Sequence, residues 1–265
     1  MKVFISADIE GTNGISNWDE TTSSTVFQNR MTQEVAAVCE GVNEHDPKAF
    51  IFVKDAHNNG DNIDHELLPH NVMLNRAFSG HPLNMMNLLD ETFDASMLTG
   101  YHSAAYTGGN PLAHTLSSSK YSRMILNDSL CSEFHIAYYT SLRFGVPMVM
   151  VAGDSLLCKA VKEADSDILT VVTVEGFGKS VTSPHPAITR KELKETAKQA
   201  AQNAKNLKPK CKKKLPADFH VELSFHEHYR AFRAAHFPGA GQKDAHTISF
   251  SSKDFMDVLR LLVFV

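Results

Sequence analysis

Short apolar runs that stop abruptly at polar residues set the rhythm of this 265-residue chain. Lys2-Val-Phe-Ile-Ser-Ala7 runs into Asp8-Ile-Glu10-Gly11, and Ala49-Phe-Ile-Phe-Val53 into Lys54-Asp55-Ala-His57. Ala95-Ser-Met-Leu-Thr99 runs into Gly100-Tyr-His102, and Val146-Pro-Met-Val-Met-Val-Ala152 into Gly153-Asp154. Nearly continuous apolar runs of this length read as strands buried on both faces. Helix-compatible stretches, Met31 to Asn43 and Cys131 to Phe144, lie between them. Strand, helix, strand in alternation implies right-handed crossovers and a mostly parallel sheet flanked by helices, an α/β fold. Sites in such sheets form outside the carboxyl ends of the strands, which puts Asp8, Glu10, His57 and His102 at one rim.

Beyond Asp154, a plausible N-cap, the pattern predicts a helix over Ser155 to Glu163 and a strand over Ile168 to Val174. A turn-rich passage follows through Gly176, Gly178, Pro184 and Pro186, and Thr189-Arg-Lys-Glu192 has capping-box spacing before an Ala/Lys-rich helix to about Leu207. Phe219 to Phe225 and Thr247 to Phe250 alternate like strands around a loop at Pro238-Gly-Ala-Gly241, ahead of a closing helix from about Lys253. The composition shift near 155 divides the chain into a metal-binding α/β domain, 1–155, and a smaller C-terminal α/β part, 156–265.

Net charge of -4 with mixed signs gives no reason to expect nucleic acid as a partner. The one basic cluster, Lys208-Pro-Lys210-Cys-Lys212-Lys213-Lys214, reads as a solvated loop, with a site for an anionic partner as the alternative. Cys39, Cys131, Cys158 and Cys211 form no CxxC pair, so neither a thiolate zinc site nor a redox motif is indicated. No apolar run approaches the ~20 residues of a membrane span, and the few apolar residues before Asp8 are too short for a signal-peptide core. The expectation is a reduced, cytoplasmic protein with no membrane partner.

Asp8 and Glu10 carry the most chemical information. A strand repeats every two residues, so both carboxylates project from one face, and Gly11 ends the strand. Two crowded acids repel unless a cation sits between them, and a divalent metal is the commonest such cation; one acid capping a helix with the other in solvent is the alternative. His57 and His102 leave strands at the same rim, and neutral imidazole with carboxylate suits zinc and related first-row ions. Asp55 could orient an imidazole or cap a loop. Periodicity alone leaves His114 a loop histidine and Glu133 an acid in the first turn of a helix.

Asp8-Ile-Glu10-Gly11-Thr-Asn-Gly14, Asp55-Ala-His57, Gly100-Tyr-His102, His114-Thr115 and Asn127-Asp128 followed by Glu133 resemble the motifs of the M55 family of metallopeptidases, the D-aminopeptidases. Arg76-Ala-Phe-Ser-Gly80 and Phe144 to Asp154 extend the likeness over about residues 1 to 155. The resemblance implies two zinc ions per subunit, with Asp8 bridging, Glu10 and His102 on one ion, and His57 and Glu133 on the other. It implies His114 as the catalytic histidine, nucleophile or proton-transfer group. It further implies an aminopeptidase acting on short peptides with N-terminal D-residues such as D-Ala-D-Ala through a metal-activated water, in a homo-oligomeric ring, typically a decamer. Ser132 departs from the family's usual glycine before the glutamate. Two other classes fit the same ligand types: a binuclear phosphoesterase, and a non-catalytic protein that keeps its metal for structure.

Overall fold

Two sheets, one mostly parallel and one antiparallel, organise the chain; the computed structural model describes residues 1–211 and 214–265. The chain lays down β1 (Lys2–Ala7), then crosses through α1 (Trp18–Thr22) and α2 (Thr25–His45) to β2 (Phe50–Asp55), β3 (Val72–Asn75) and β4 (Ala95–Tyr101). It leaves for β5 (Tyr121–Leu126) and β6 (Ser129–Leu130), and returns through α3 (Glu133–Phe144) to β7 (Met148–Asp154). From there α4 (Ser155–Ala164) leads to β8 (Leu169–Phe177), β9 (Ser180–Thr182) and the long α5 (Pro186–Cys211). The last elements are β10 (Phe219–Phe225), α6 (His228–Ala234), β11 (Ala240–Gln242), β12 (Thr247–Ser252) and α7 (Phe255–Phe264).

The main sheet has the order β3-β2-β1-β4-β7-β8-β9, parallel from β3 to β8 with β9 returning antiparallel. β1 is therefore central, between β2 and β4. The chain runs outward from β1 to β3, then crosses back to β4 on the other side, so the order reverses beside β1 and leaves a crevice at the carboxyl ends. α2 and α5 cover one face through Val35, Val38, Leu193 and Ala197, while α3 and α4 cover the other through Phe134, Tyr138, Leu157 and Val161. Burial on both faces explains why β1, β4 and β7 carry almost unbroken apolar sequence.

The second sheet, β11-β12-β10-β5-β6, is antiparallel and packs on α6 and α7 around Phe219, Phe225, Ala231 and Phe255. It draws strands from both sides of residue 155. Because α3 leaves directly from β6, this sheet also fixes where the first turn of α3 lies.

The structure corrects several expectations from sequence. α5 begins at Pro186, with His185 Nδ1 accepting the Ala187 N–H at 3.2 Å, so Thr189 is an interior helical residue. Thr189 is buried and its hydroxyl meets Asn13 Nδ2 at 2.7 Å, a polar contact that outweighs the cap its spacing suggested. Lys208 to Cys211 continue α5 instead of forming a loop, with Lys208 donating to the Phe93 carbonyl at 2.6 Å and Lys214 paired with Asp165 at 2.7 Å. Lys212 and Lys213 of that cluster lie outside the described residues. Asp154 does cap α4, accepting the Leu157 N–H at 2.8 Å.

The ends of β1 and β4 touch so closely that only glycine fits between them. Gly100 has φ +71°, and a Cβ there would lie 2.1 Å from the Asp8 carbonyl oxygen; one on Gly11 would lie 1.8 Å from that of Tyr101. Gly100→Ala is expected to lower stability by about 3 kcal/mol or more, whereas Gly108→Ala, where nothing lies within 4 Å, should stay within about 0.5 kcal/mol of wild type. Denaturant unfolding of the two variants checks this; equal stabilities would show that the strand ends can separate freely.

Candidate metal centre

Three adjacent strands deliver the first four side chains. Asp8 and Glu10 follow β1, His57 follows β2, and His102 follows β4. Backbone bonds knit these exits together: Asp8 N–H to the Thr99 carbonyl at 2.9 Å, Gly11 N–H to that of Gly100 at 2.8 Å, and Ala56 N–H to that of Ala7 at 2.8 Å. Glu133 arrives from the first turn of α3 and His114 from the loop before β5. All six are brought together, and the five acids and imidazoles other than His114 are less than a tenth exposed.

Donor atoms converge at metal-ligand spacing. His57 Nδ1 lies 3.2 Å from Glu10 Oε2 and 3.4 Å from Asp8 Oδ1; His102 Nε2 lies 3.3 Å from Glu133 Oε2 and 3.7 Å from Asp8 Oδ2. Metal bonds of about 2.0–2.2 Å at tetrahedral angles would put donors about 3.3 Å apart. Three sets of residues offer atoms within 4.8 Å of one another: Asp8, Glu10 and His57; Asp8, His102 and Glu133; Glu10, His102 and His114. Asp8 thus belongs to two sets. Glu10 falls with His57 in one set and with His102 in another, which crosses the division implied by the resemblance.

His57 Nε2, His102 Nε2 and Glu133 Oε2 are buried with no hydrogen-bond partner. Orphaned polar atoms in an interior are costly, and two of these, His102 Nε2 and Glu133 Oε2, face each other at 3.3 Å, which fits a site built to hold a cation. The tautomers agree. His102 Nδ1–H donates to the Ser103 carbonyl at 3.0 Å, which leaves Nε2 directed at Asp8 and Glu133. His114 Nδ1–H donates to the Leu112 carbonyl at 2.9 Å, leaving its Nε2 3.6 Å from Glu133 and 4.0 Å from Glu10.

The electrostatics describe protons standing where a cation would. Burial alone would depress the His57 imidazole, but Glu10 and Asp8 more than reverse this and push it up to about 10. Burial opposes the ionised form of Glu133, yet His102 beside it draws that carboxyl down to about 2. Burial and the neighbouring Glu10 charge raise Asp8 well above the carboxylate range, whereas Glu10 is held well below it, His57 outweighing burial.

Around this centre, residues noted in sequence, Asp55 and Asp154, are joined by others that were not, Asn62, Leu116, His135 and Trp18. Asp55 is a loop cap: its carboxylate accepts the Asn62 N–H at 2.6 Å, the Ile63 N–H at 2.9 Å and Asn62 Nδ2 at 2.9 Å. Asn62 in turn donates to the His57 carbonyl at 2.8 Å, so Asp55 acts on His57 through its backbone and not its ring. Asp154 accepts the Ser103 N–H at 2.6 Å and fixes the chain just after His102. The Leu116 N–H reaches Glu133 Oε1 at 2.7 Å, and His135 Nδ1 accepts the Ser132 N–H at 3.1 Å, tying down the helix start that presents Glu133. His114 is held between two rings, stacked on His102 at 4.4 Å and edge-on to Trp18 at 5.3 Å. The spacing Asn17-x-x-Glu20 was a legible signal for α1, since Asn17 caps it by accepting the Glu20 N–H at 3.2 Å.

Five of the six residues, His57, His114, Asp8, Glu10 and Glu133, line a cavity of about 470 Å³ together with Trp18, Phe78, Met85 and Leu116, while His102 lies behind its wall fully buried. The model of the M55 peptidase family, described as D-aminopeptidase, matches residues 1–264. The chain belongs to this family. It is accordingly a peptide hydrolase by class. This M55 peptidase is 27% identical over 273 residues to a D-aminopeptidase of Bacillus subtilis (strain 168), spanning 99% of this chain and 96% of that protein. It shares the fold of the solved structure of DppA from Bacillus subtilis, described as a Zn-dependent D-aminopeptidase and a self-compartmentalizing protease. That superposition has a TM-score of 0.87 at 24% identity, over 99% of this chain and 96% of the other.

A cation that takes a lone pair of the His57 ring must displace the proton held there up to about pH 10. Apparent metal affinity of this M55 peptidase is therefore expected to climb with pH by about tenfold per unit for each proton displaced. Without metal the sign reverses: protonated His57 stabilises the fold below its unfolded value near ~6.5, and that contribution is lost as pH rises through about 10. Chelator competition titrations between pH 6 and 9 check the first expectation, and a pH-independent affinity would remove His57 from the metal.

Proposed function

We propose that this M55 peptidase is a zinc-dependent aminopeptidase that hydrolyses short peptides with N-terminal D-residues, such as D-Ala-D-Ala, at a two-zinc centre. Asp8 is the shared ligand, with Glu10, His57, His102 and Glu133 completing the set. The observation that carries this reading is the pair of overlapping donor sets that meet at Asp8, one of them holding two buried atoms with no hydrogen-bond partner, His102 Nε2 and Glu133 Oε2. Zinc bound there would bring a water's pKa toward ~7 and polarise a scissile carbonyl.

The chain's own residues supply the rest. The Nδ1–H bond to Leu112 leaves His114 Nε2 as its reactive nitrogen, turned toward Glu10 and Glu133 at the cavity wall. From there it takes up the proton released by the attacking water and passes it to the departing amine; it is a proton-transfer group, not the nucleophile. The stacked His102 and the edge of Trp18 restrict the ring's rotation. Among the described lining residues there are three carboxylic acids and no lysine or arginine. With the acids engaged as ligands, the lining supplies no cationic side chain of the kind that usually holds a phosphoester dianion beside the metals.

Two wider properties accompany this reading. Cys39, Cys131 and Cys158 are buried free thiols, which fits a reducing, cytoplasmic compartment. No described helix is long and apolar enough to cross a membrane. Assembly into a homo-oligomeric ring, a decamer by resemblance to the family, would cover some of the apolar side chains left exposed, among them Phe177, Phe232 and Phe264.

Purified protein should cleave D-Ala-D-Ala faster than L-Ala-L-Ala, leave nitrophenyl phosphate intact, and stop on chelation. Chelator-insensitive cleavage would overturn the two-zinc reading, and phosphatase activity would replace it by the phosphoesterase one. In a second experiment, His114→Ala should keep zinc near wild type while turnover falls by about 10²–10⁴-fold, whereas Asp8→Ala should lose zinc. Elemental analysis of both variants decides this, because equal metal loss would make His114 a ligand.

A further inference from the structure

Lys54 is a buried cation that the chemistry above does not use. It sits in β2, fully enclosed, and its ammonium donates to the Asp55 carbonyl at 2.7 Å and the Ala77 carbonyl at 2.5 Å. The same nitrogen lies over the Phe78 ring, 4.1 Å from its centroid. Burial draws this lysine down to about 8. A buried ammonium held by neutral carbonyls costs more than an apolar side chain of similar length, so packing alone does not account for it.

What the ammonium holds is the turn at Arg76-Ala-Phe-Ser-Gly80. Ala77 has φ +60°, a left-handed conformation that a residue with a Cβ adopts only when its surroundings enforce it. Its N–H donates to the Gly60 carbonyl at 3.0 Å, and the Gly60 N–H donates to that of His57 at 2.8 Å. One end of this clamp is thus the loop that carries His57, and the other end delivers Phe78 to the cavity lining.

We propose that Lys54 is a positioning residue and Phe78 a specificity-determining one: the ammonium fixes the 76–80 turn so that the Phe78 ring forms the wall against which the substrate's N-terminal side chain packs. With the ring in place, small aliphatic first residues fit and larger ones are excluded. This rests on the reading of the cavity as a peptide-cleaving site, and the experiment separates the two.

In the zinc-loaded protein, kcat/KM is measured for D-Ala-D-Ala and D-Leu-D-Ala. Phe78→Ala should raise the D-Leu to D-Ala ratio by about tenfold, the scale on which an apolar pocket discriminates side-chain size. Lys54→Met should shift the ratio in the same direction, and the double variant no further than the larger single effect, with zinc per subunit unchanged throughout. An unchanged ratio in Phe78→Ala, a half-exposed side chain whose removal leaves the core intact, overturns the proposal. Multiplying effects in the double variant overturn the link from Lys54 to Phe78. Amide exchange over 76–80 supplies a readout independent of turnover: Lys54→Met should accelerate it at least about tenfold, and unchanged exchange again overturns the link. Should wild type cleave neither peptide, the peptidase reading fails, while the exchange measurement still decides whether Lys54 holds the turn.

Discussion

Three carboxylates buried within reach of one another require positive charge between them. Asp8, Glu10 and Glu133 are each less than a twentieth exposed, and although burial opposes it these acids push the imidazoles of His57 and His102 up, toward their protonated forms. The cluster remains incompletely satisfied, because both ring Nε2 atoms and one Glu133 oxygen have no partner. A divalent ion meets both demands together, giving the charge and the coordination that protons on two rings provide only in part. Much of the surrounding architecture can be understood as holding these groups at that spacing.

The holding is done by backbone. β1 lies between β2 and β4, so the two histidines reach the acids from opposite sides. Gly11 and Gly100 let the strand exits approach to distances that any Cβ would forbid. Asp55 and Asp154 then spend their carboxylates on main-chain N–H groups next to His57 and His102. Asp55 was read from sequence as an imidazole-orienting or loop-capping acid and Asp154 as a helix cap; both fix the backbone from which the His57 and His102 side chains project. The second sheet contributes differently. It sends α3 back toward the main sheet so that Glu133, seventy-six residues beyond His57 in the chain, completes the cluster.

The parallel sheet was legible because strands covered on both faces have to be apolar throughout, and their polar terminators fall together at one rim. β1, β2, β4, β7 and β10 begin within two residues of the positions that pattern predicts. Short elements were not legible. β3, β6 and β11 are brief, and β5, though as long as β1, is mixed in polarity and paired with a strand distant in sequence, so no local periodicity marks them. The start of α5 was misplaced for a related reason: the hydroxyl of Thr189 has a buried partner in Asn13, more than a hundred and seventy residues away, and no local rule registers that contact.

The sequence by itself determined the fold class, the rim and the residue types offered there, since these follow from local burial patterns and from motifs that resemble the M55 family. It left open whether Asp55 orients an imidazole or caps a loop, and only its partners, the Asn62 and Ile63 N–H groups, decide for the cap. Nor could it show that Trp18 and His102 enclose His114, or that Lys54 reaches across to Ala77 and Phe78. Those relations join segments that meet only after the sheet has formed, because side-chain partners across a fold are set by strand order and loop path, whereas a sequence pattern encodes only which face of its own element is buried.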